Sequence, residues 1–144
     1  MKDTSILTGN GIRTGAQYIS GLQDDREVWT QGKRIKDVTS EPGMSRGISS
    51  LAGFLDKQHE KKYRDKVTYV DEDGIRCPLS FKTPKSKQDI LDRGKAYYEW
   101  ATWSHGMFGR TPDYKNASLM SFSAARSFLD KGTVGKADFS QNML

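Results

Sequence analysis

The chain has 144 residues, of which 35 % are hydrophobic and 28 % charged, and its formal net charge is +5. This length suits one domain with a modest core, and the composition is that of a globular protein. No apolar run approaches 18 residues, so no membrane-spanning helix is expected, and the N-terminal residues lack the apolar core of a signal peptide. We therefore expect a cytoplasmic protein. A single cysteine, Cys77, excludes an internal disulfide framework and a thiolate metal cage.

The first elements predicted are an arm, a short helix and a β-hairpin. Residues 1–13 lack hydrophobic periodicity and are expected to form a flexible arm, followed by a helical domain over 14–144. Thr14 and, three residues later, Gln17 form a capping-box arrangement that opens a helix. The segment "EVWTQGKRIKDV" (27–38) predicts two strands joined by a tight Gln-Gly turn.

A longer helix and a second hairpin follow. Helical spacing relates four apolar residues after Pro42: Ile48, Leu51, Ala52 and Leu55. We expect this helix to end in the basic run "KQHEKKYRDK" (57–66). In "KVTYVDEDGIRCPLSF" (66–81), two strands flank an acidic turn that ends at Gly74, and Pro78 indicates an exposed edge.

The basic run bears on whether the protein binds nucleic acid, which its positive charge would allow. The other basic residues are spread along the chain, and the run itself contains two acids. A phosphate-binding patch and a solvated helix end both explain it. Because cations are favoured at helix C-termini, we prefer the helix end.

The next predicted helix covers "KQDILDRGKAYYEWATWSHG" (87–106), with Ser86 as N-cap and Asp89 three residues later. One packed face is expected along it, formed by Ile90, Leu91, Gly94, Tyr97, Tyr98 and Ala101. Trp100 and Trp103 lie on adjoining faces. We interpret this aromatic stripe as helix core rather than as a surface that stacks on a cofactor.

Helical periodicity returns in "YKNASLMSFSAARSFLD" (114–130), with Ala117, Met120, Ala124 and Phe128 along one side. A loop is expected over 131–136, and 137–144 begin an amphipathic pattern that stops. Such an ending favours a piece of a longer protein. An excised domain, a truncated reading frame and a natural short protein are the alternatives.

The connection "HGMFGRTPDYKN" (105–116) between the last two helices holds the candidate site. Its Thr-Pro-Asp tripeptide suffices to begin a helix, as N-cap, first helical residue and partner of the helix dipole. Arg110 and Tyr114 are not needed for that. They offer a permanent cation and a phenolic hydroxyl beside the N–H groups of a helix N-terminus, which is a credible oxyanion site. Spacing alone leaves open a structural pair, with Arg110 on Asp113 or on helix carbonyls and Tyr114 buried.

The histidines do not support a metal site. His105 suits a cap at a helix C-terminus, and His59 is too distant in sequence to form a helical metal motif with it. The sequence also lacks a Gly-rich phosphate loop after a strand and a nucleophile elbow. We therefore predict no metal ligand and assign no catalytic residue.

Three segments in order resemble a known family: "RTGAQYISGLQDDREVWTQGKRIKDVTSEPG" (13–43), "LAGFLDKQHE" (51–60) and "GRTPDYKNAS" (109–118). They are similar to the N-terminal part of the 4-hydroxyphenylacetate 3-hydroxylase family, the oxygenase components of two-component, reduced-flavin-dependent aromatic hydroxylases. The resemblance runs from about Arg13 to the last residue. It implies a mainly α fold, an acyl-CoA-dehydrogenase-like N-terminal helical domain with one or two small β-hairpins.

The resemblance also implies a function for the full-length protein: a monooxygenase of aromatic catabolism that ortho-hydroxylates a phenol such as 4-hydroxyphenylacetate or a chlorophenol. Arg110 and Tyr114 would bind the phenolic oxygen. FAD, supplied as FADH2 by a separate reductase, would be held mainly by a middle β-domain and a C-terminal helical bundle that this sequence lacks. The reductase would act by contact or by flavin diffusion alone. A homo-oligomer is implied at full length, and the isolated chain is expected to be inactive.

Two other hypotheses stay open. The chain could be a non-catalytic helical binding or assembly module derived from such an enzyme, which associates through an apolar face left by missing domains. It could also be a small basic nucleic-acid-binding protein, a class whose mark is strongly salt-dependent binding. We expect neither nucleic acid nor membrane as a partner.

Overall fold

The computed structural model describes residues 11–106 and 112–129, except the side chains of 112–114 and 129. The helices and strands in these ranges are α1 (Gly15–Ser20), β1 (Val28–Thr30), β2 (Lys33–Ile35), α2 (Ser45–Lys57), α3 (Lys61–Val67), β3 (Thr68–Val70), β4 (Arg76–Pro78), a 3-10 turn (Leu79–Phe81), α4 (Lys87–Trp103), α5 (Pro112–Ala124) and α6 (Arg126–Leu129). Among the described helices, none is long and apolar enough to cross a membrane. The mainly helical composition with two small antiparallel hairpins confirms the predicted fold class.

The chain divides into two compact units, of which the first covers Ile12–Arg64. The predicted capping box is present at its first helix: the Gln17 N–H donates to Thr14 Oγ1 at 3.1 Å, and the Thr14 N–H donates to Gln17 Oε1 at 2.9 Å. The predicted arm lies outside the described residues up to position 10. Its residue Ile12 is described and is buried.

Helices α1 and α2 meet at Gly15. Its N–H donates to Asp56 Oδ1 at 2.7 Å, and a Cβ at this position would lie 2.6 Å from the carbonyl oxygen of Ala52. Only a residue without a side chain permits this approach, because carbon and oxygen cannot come that close without displacing the backbone.

The first hairpin pairs β1 with β2 in antiparallel register, from Val28 opposite Ile35 to Thr30 opposite Lys33. The two turn residues have positive φ angles, 47° at Gln31 and 74° at Gly32. Positive φ at both central positions is the type I′ geometry, whose twist matches that of the flanking strands. The predicted tight turn is confirmed.

Helix α2 ends in the basic run, as predicted, but the run also contains the start of a second helix, which was not predicted. Helix α2 ends at Lys57, and the N–H groups of the next three residues bond to carbonyls three residues back, which tightens the chain and ends the helix. Helix α3 then begins at Lys61. Gln58, expected to be solvated, is 1 % exposed. Tyr63 lies near two ammonium groups of the run, those of Lys57 and Lys62, at 5.1 and 5.0 Å from the ring centroid.

The second unit includes the described residues from Asp65 onward. Its hairpin pairs β3 with β4, and Asp71 Oδ1 accepts the N–H of Asp73 at 3.0 Å and of Ile75 at 2.7 Å. Gly74, with a φ of 78°, completes the predicted acidic turn. The core of this unit is a cluster of buried residues, Val67, Leu79 and Ala96, with Tyr69 and Trp103 packed against it.

The packed face predicted for α4 is wrong. Ile90 is 60 % exposed and Tyr98 is 73 % exposed, while the buried residues of this helix are Ala96 and Trp100. The small Ala96 allows α4 to approach the Leu79 core closely, and hydrophobic periodicity does not report such an approach. The interpretation of the tryptophans as core is confirmed for Trp100, which is buried and meets Trp103 edge to face at a centroid distance of 5.1 Å.

Asp89 joins the start of α4 to the segment before it. Its Oδ1 lies 2.5 Å from Lys82 Nζ, and its Oδ2 accepts the Ser86 hydroxyl at 2.8 Å and the Lys85 N–H at 3.0 Å. Ser86 is the N-cap, as predicted, and its Oγ accepts the Asp89 N–H at 3.2 Å. The hydrogen bond from Lys82, then those from Ser86 and Lys85, hold the pKa of Asp89 well below its usual range.

We expect Gly15→Ala to destabilise the protein by about 1–3 kcal/mol, the usual effect of forcing extra atoms into a packed contact. Gly47→Ala is the matched control, since it lies within α2 and its added Cβ would meet no atom within 4 Å. That variant should gain about 0.5–1 kcal/mol from better helix propensity. Urea unfolding of both variants measures the effects. Equal stability of Gly15→Ala and wild type would contradict the close contact.

We expect Asp89→Asn to lower the melting temperature at pH 7. Because the folded-state pKa of Asp89 is depressed, its contribution is present above the ordinary carboxyl pKa of about 3.9 and is lost as the pH falls further. The difference in melting temperature between variant and wild type should therefore shrink below about pH 4. Asp92→Asn is the control: this side chain is 44 % exposed against 14 % for Asp89, so its effect should be smaller. A pH-independent difference for Asp89→Asn would refute the assignment.

Candidate functional site

The first two residues of the candidate motif, His105 and Gly106, lie at the C-terminal end of α4. Ser104 is the C-cap, and the next two residues have left-handed φ angles, 50° at His105 and 73° at Gly106. The Gly106 N–H donates to the Ala101 carbonyl at 2.8 Å, which closes the helix. This confirms the predicted turn at Gly106 and the position of His105 at a helix C-terminus. The His105 side chain is exposed.

The two predicted substrate residues are not placed by the structure. Arg110 lies within 107–111, outside the described residues, and so do Gly109 and the expected N-cap Thr111. Tyr114 is in the first turn of α5, and its side chain is among those not described. Helix α5 begins at Pro112, which confirms the predicted helix start. The role of Arg110 and Tyr114 in binding stays a prediction.

Helix α5 is anchored directly after the motif by Asn116. Its Nδ2 donates to the Ser80 hydroxyl oxygen at 3.1 Å, across 36 positions of the chain. Ser80, in the 3-10 turn, is 6 % exposed, and Met120, one helical turn beyond Asn116, is also buried. This contact was not predicted from the sequence. The sequence feature that could have indicated it is an asparagine inside a predicted helix. Asparagine is a poor helix former, so its presence there suggests that its side-chain amide has a partner.

The 3-10 turn is itself tied to α4 through the residue that follows it. The Arg93 guanidinium donates to the Lys82 carbonyl oxygen, and the Lys82 ammonium bonds to Asp89. The turn therefore has contacts to α4 on one side and to α5 on the other. The position of the motif's helix depends on this short segment.

A cleft of about 570 Å³ opens beside the same core. Its lining includes Lys66, Tyr69, Lys82, Lys95, Tyr98 and Glu99. Each of its three lysines has a carboxylate partner: Lys66 with Glu99 at 2.6 Å, Lys82 with Asp89 at 2.5 Å and Lys95 with Asp92 at 3.1 Å. These pairings compensate the cations, which makes the cleft a poor receptor for a phosphate or a phenolate.

Two titratable groups of the β3–β4 hairpin, Tyr69 and Cys77, are not activated. Burial raises the pKa of the Tyr69 phenol, and burial followed by the charge of Asp71 raises the pKa of the Cys77 thiol. Both groups are therefore protonated at neutral pH and are weak nucleophiles. In the ranges that the structure describes, no group of three His, Cys, Asp or Glu could hold a metal ion.

The same cleft does not fit the pyrophosphate of a flavin dinucleotide. A flavin dinucleotide needs a cradle for its pyrophosphate, commonly a Gly-rich loop before a helix N-terminus or unpaired cations. Over the described part of the chain the loop pattern is missing, and the cleft lysines carry carboxylate partners. We therefore assign no flavin-binding residue to this cleft.

Comparison with known proteins gives the sequence context. Residues 14–144 match the family described as 4-hydroxyphenylacetate 3-hydroxylase N terminal. The 4-hydroxyphenylacetate 3-monooxygenase oxygenase component of Thermus thermophilus is 39 % identical over 117 residues, which are 81 % of this chain and 24 % of that protein. The 4-nitrophenol 4-monooxygenase/4-nitrocatechol 2-monooxygenase oxygenase component of Rhodococcus opacus is 36 % identical over 70 % of this chain and 19 % of its own length. The chain thus spans about a quarter of the length of such relatives.

Solved structures agree with this relationship. The crystal structure of the oxygenase component of 4-hydroxyphenylacetate 3-monooxygenase matches 90 % of this chain and 27 % of its own, with a TM-score of 0.82 and 37 % identity. A structure of the oxygenase component complexed with FAD and 4-hydroxyphenylacetate matches with a TM-score of 0.81 at the same identity, over 90 % of this chain and 26 % of its own. The chain belongs to the 4-hydroxyphenylacetate 3-hydroxylase N-terminal family.

Proposed function

We propose that this chain is the substrate-side N-terminal domain, over 14–144, of an FADH2-dependent aromatic monooxygenase. The full-length enzyme ortho-hydroxylates a phenol such as 4-hydroxyphenylacetate or a chlorophenol. The observation that carries this proposal is the structural match to the oxygenase component at 37 % identity over 90 % of the chain. Because the chain spans about a quarter of its curated relatives, the isolated chain is expected to be inactive.

Arg110 and Tyr114 bind the phenolic oxygen in this proposal. A guanidinium and a hydroxyl hydrogen-bond most strongly to the ionised form of a phenol, so they orient the ring and lower the pKa of the bound substrate. Tyr114 lies in the first turn of α5, whose N-terminus favours negative charge through the helix dipole. Phenolate character makes the ring more electron-rich and hence easier to hydroxylate. Reduced flavin supplies the oxygen-transfer chemistry.

The cofactor and partners follow from the same proposal. FAD arrives as FADH2 from a separate reductase and is held mainly by the middle and C-terminal domains. One solved relative carries FAD and 4-hydroxyphenylacetate together. The full-length enzyme is a cytoplasmic homo-oligomer in this proposal.

A non-catalytic assembly module is the alternative, and the exposed face of α4 at Ile90, Leu91 and Tyr98 favours it. The remaining domains of an enzyme would cover such a face equally well. A measurement of phenol hydroxylation distinguishes the two functions. An enzyme that contains this domain and its remaining domains hydroxylates a phenol when supplied with FADH2 and dioxygen, whereas an assembly module does not.

We expect Arg110→Ala, in the full-length enzyme, to weaken 4-hydroxyphenylacetate binding by roughly thirtyfold, since a hydrogen bond to a charged group contributes about 2 kcal/mol. Tyr114→Phe should weaken binding about fivefold, through loss of one neutral hydrogen bond. Equilibrium binding and the KM for the phenol measure both effects. Lys115→Ala is the control, because it removes an exposed cation next to Tyr114 in the sequence and keeps both predicted residues. Wild-type affinity in Arg110→Ala would remove the site assignment.

A further inference from the structure

Helix α5 carries almost no charge along its described side chains. After Lys115, the run "NASLMSFSA" (116–124) contains only apolar, small and amide side chains. Apolar residues also lie on opposite sides of this helix. Met120 is buried, whereas Phe122, about 200° further round the helix axis, is 47 % exposed. A helix that is apolar all round is typical of a protein interior and not of a protein surface.

The exposed residues of α5 beyond its first turn, and those described in α6, are all uncharged. Arg126, which is the charged residue of the described range 116–128, is half-buried. Phe128 is 75 % exposed, and leaving phenylalanine rings in contact with water costs free energy in proportion to their apolar area. We call this set the outer face of α5 and α6; its members are Ser121, Phe122, Ala124, Ser127 and Phe128.

Helix α4 shows how the same chain builds a helix side that contacts water. The Gln88 amide nitrogen donates to Asp92 Oδ1 at 2.8 Å, and the Lys95 ammonium pairs with the same oxygen at 3.1 Å. The exposed Leu91 lies beside this row, one helical turn from Lys95. The apolar residues of that side therefore lie among charged groups, whereas those of the outer face of α5 and α6 do not.

We propose that the outer face of α5 and α6 is the surface on which the following domains pack, meaning the polypeptide after residue 144 in the full-length enzyme. This inference rests on the proposed function in one respect, that this chain is one domain of a longer enzyme. The match covers 24 % of the Thermus thermophilus relative and belongs to an N-terminal family, so most of such a protein follows the matched part. Because consecutive elements of a chain are usually adjacent in space, α5 and α6, the last elements described, are the expected contact.

The test uses the full-length enzyme and iodoacetamide, which reacts with accessible thiols. Ser121→Cys replaces an exposed hydroxyl, bonded to the Ala117 carbonyl at 2.8 Å, by a thiol of similar size, so the variant should fold. Its thiol should react about a hundredfold more slowly than that of the control, Gln88→Cys on the charged side of α4, because a covered site must open before it reacts. Mass spectrometry of the labelled peptides distinguishes these thiols from Cys77. In urea the two rates should become equal.

Three outcomes would overturn or uphold this interface. If folded Ser121→Cys reacts as fast as Gln88→Cys, nothing covers the outer face and the inference is refuted. Protection of Ser121→Cys that disappears on dilution means that a second copy of the enzyme covers the face, which also refutes it. Protection that is independent of enzyme concentration supports it.

Hydroxylation of 4-hydroxyphenylacetate, measured on the same preparations with FADH2 and dioxygen, separates the interface from the function. Rapid labelling of Ser121→Cys in an enzyme that hydroxylates the phenol refutes the interface and leaves the proposed function standing. Slow, concentration-independent labelling in a polypeptide that hydroxylates no phenol supports the interface and refutes the proposed function.

Discussion

The short segment Leu79–Lys82 is the constraint on which the second unit depends. Leu79 is buried against Val67 and Ala96, Ser80 accepts a hydrogen bond from α5, and Lys82 is held by two residues of α4. Four consecutive residues thus connect the core to two helices. Such a segment has little freedom, because each of its buried polar groups has a partner that it would lose on moving.

The residues on either side of the candidate motif are held by hydrogen bonds to the rest of this unit. Before the motif, Gly106 is bonded back to Ala101, and after it α5 begins at Pro112 and is held by Asn116. The described contacts therefore hold the residues on either side of 107–111, the range that includes Arg110. In the proposed enzyme the chain binds and orients the phenol, while oxygen transfer belongs to the flavin held elsewhere.

Helix α4 shows how burial can differ from hydrophobic pattern. Its large apolar residues Ile90 and Tyr98 are exposed, whereas the core contact is made by the small Ala96 and by Trp100. Apolar residues at helical spacing predict that one helix face is suited to burial. They do not indicate which other element covers that face. The charged groups of this helix also have partners close in sequence, since Asp89 bonds to Lys82 and to the Ser86 hydroxyl, and Asp92 pairs with Lys95.

The sequence by itself determined the features whose causes are local. The capping box at Thr14, the Ser86 cap, the Gln31-Gly32 turn and the helix start at Pro112 were all predictable, because each depends on residues within four positions of one another. The family and its implied phenol site came from resemblance, with Arg110 and Tyr114 left as predictions. Tertiary structure alone decided that the basic run holds a helix break, that Ala96 and not Ile90 is buried, and that Asn116 reaches Ser80. These depend on partners far away in the chain, and local sequence preference contains no information about which distant group will satisfy a given side chain.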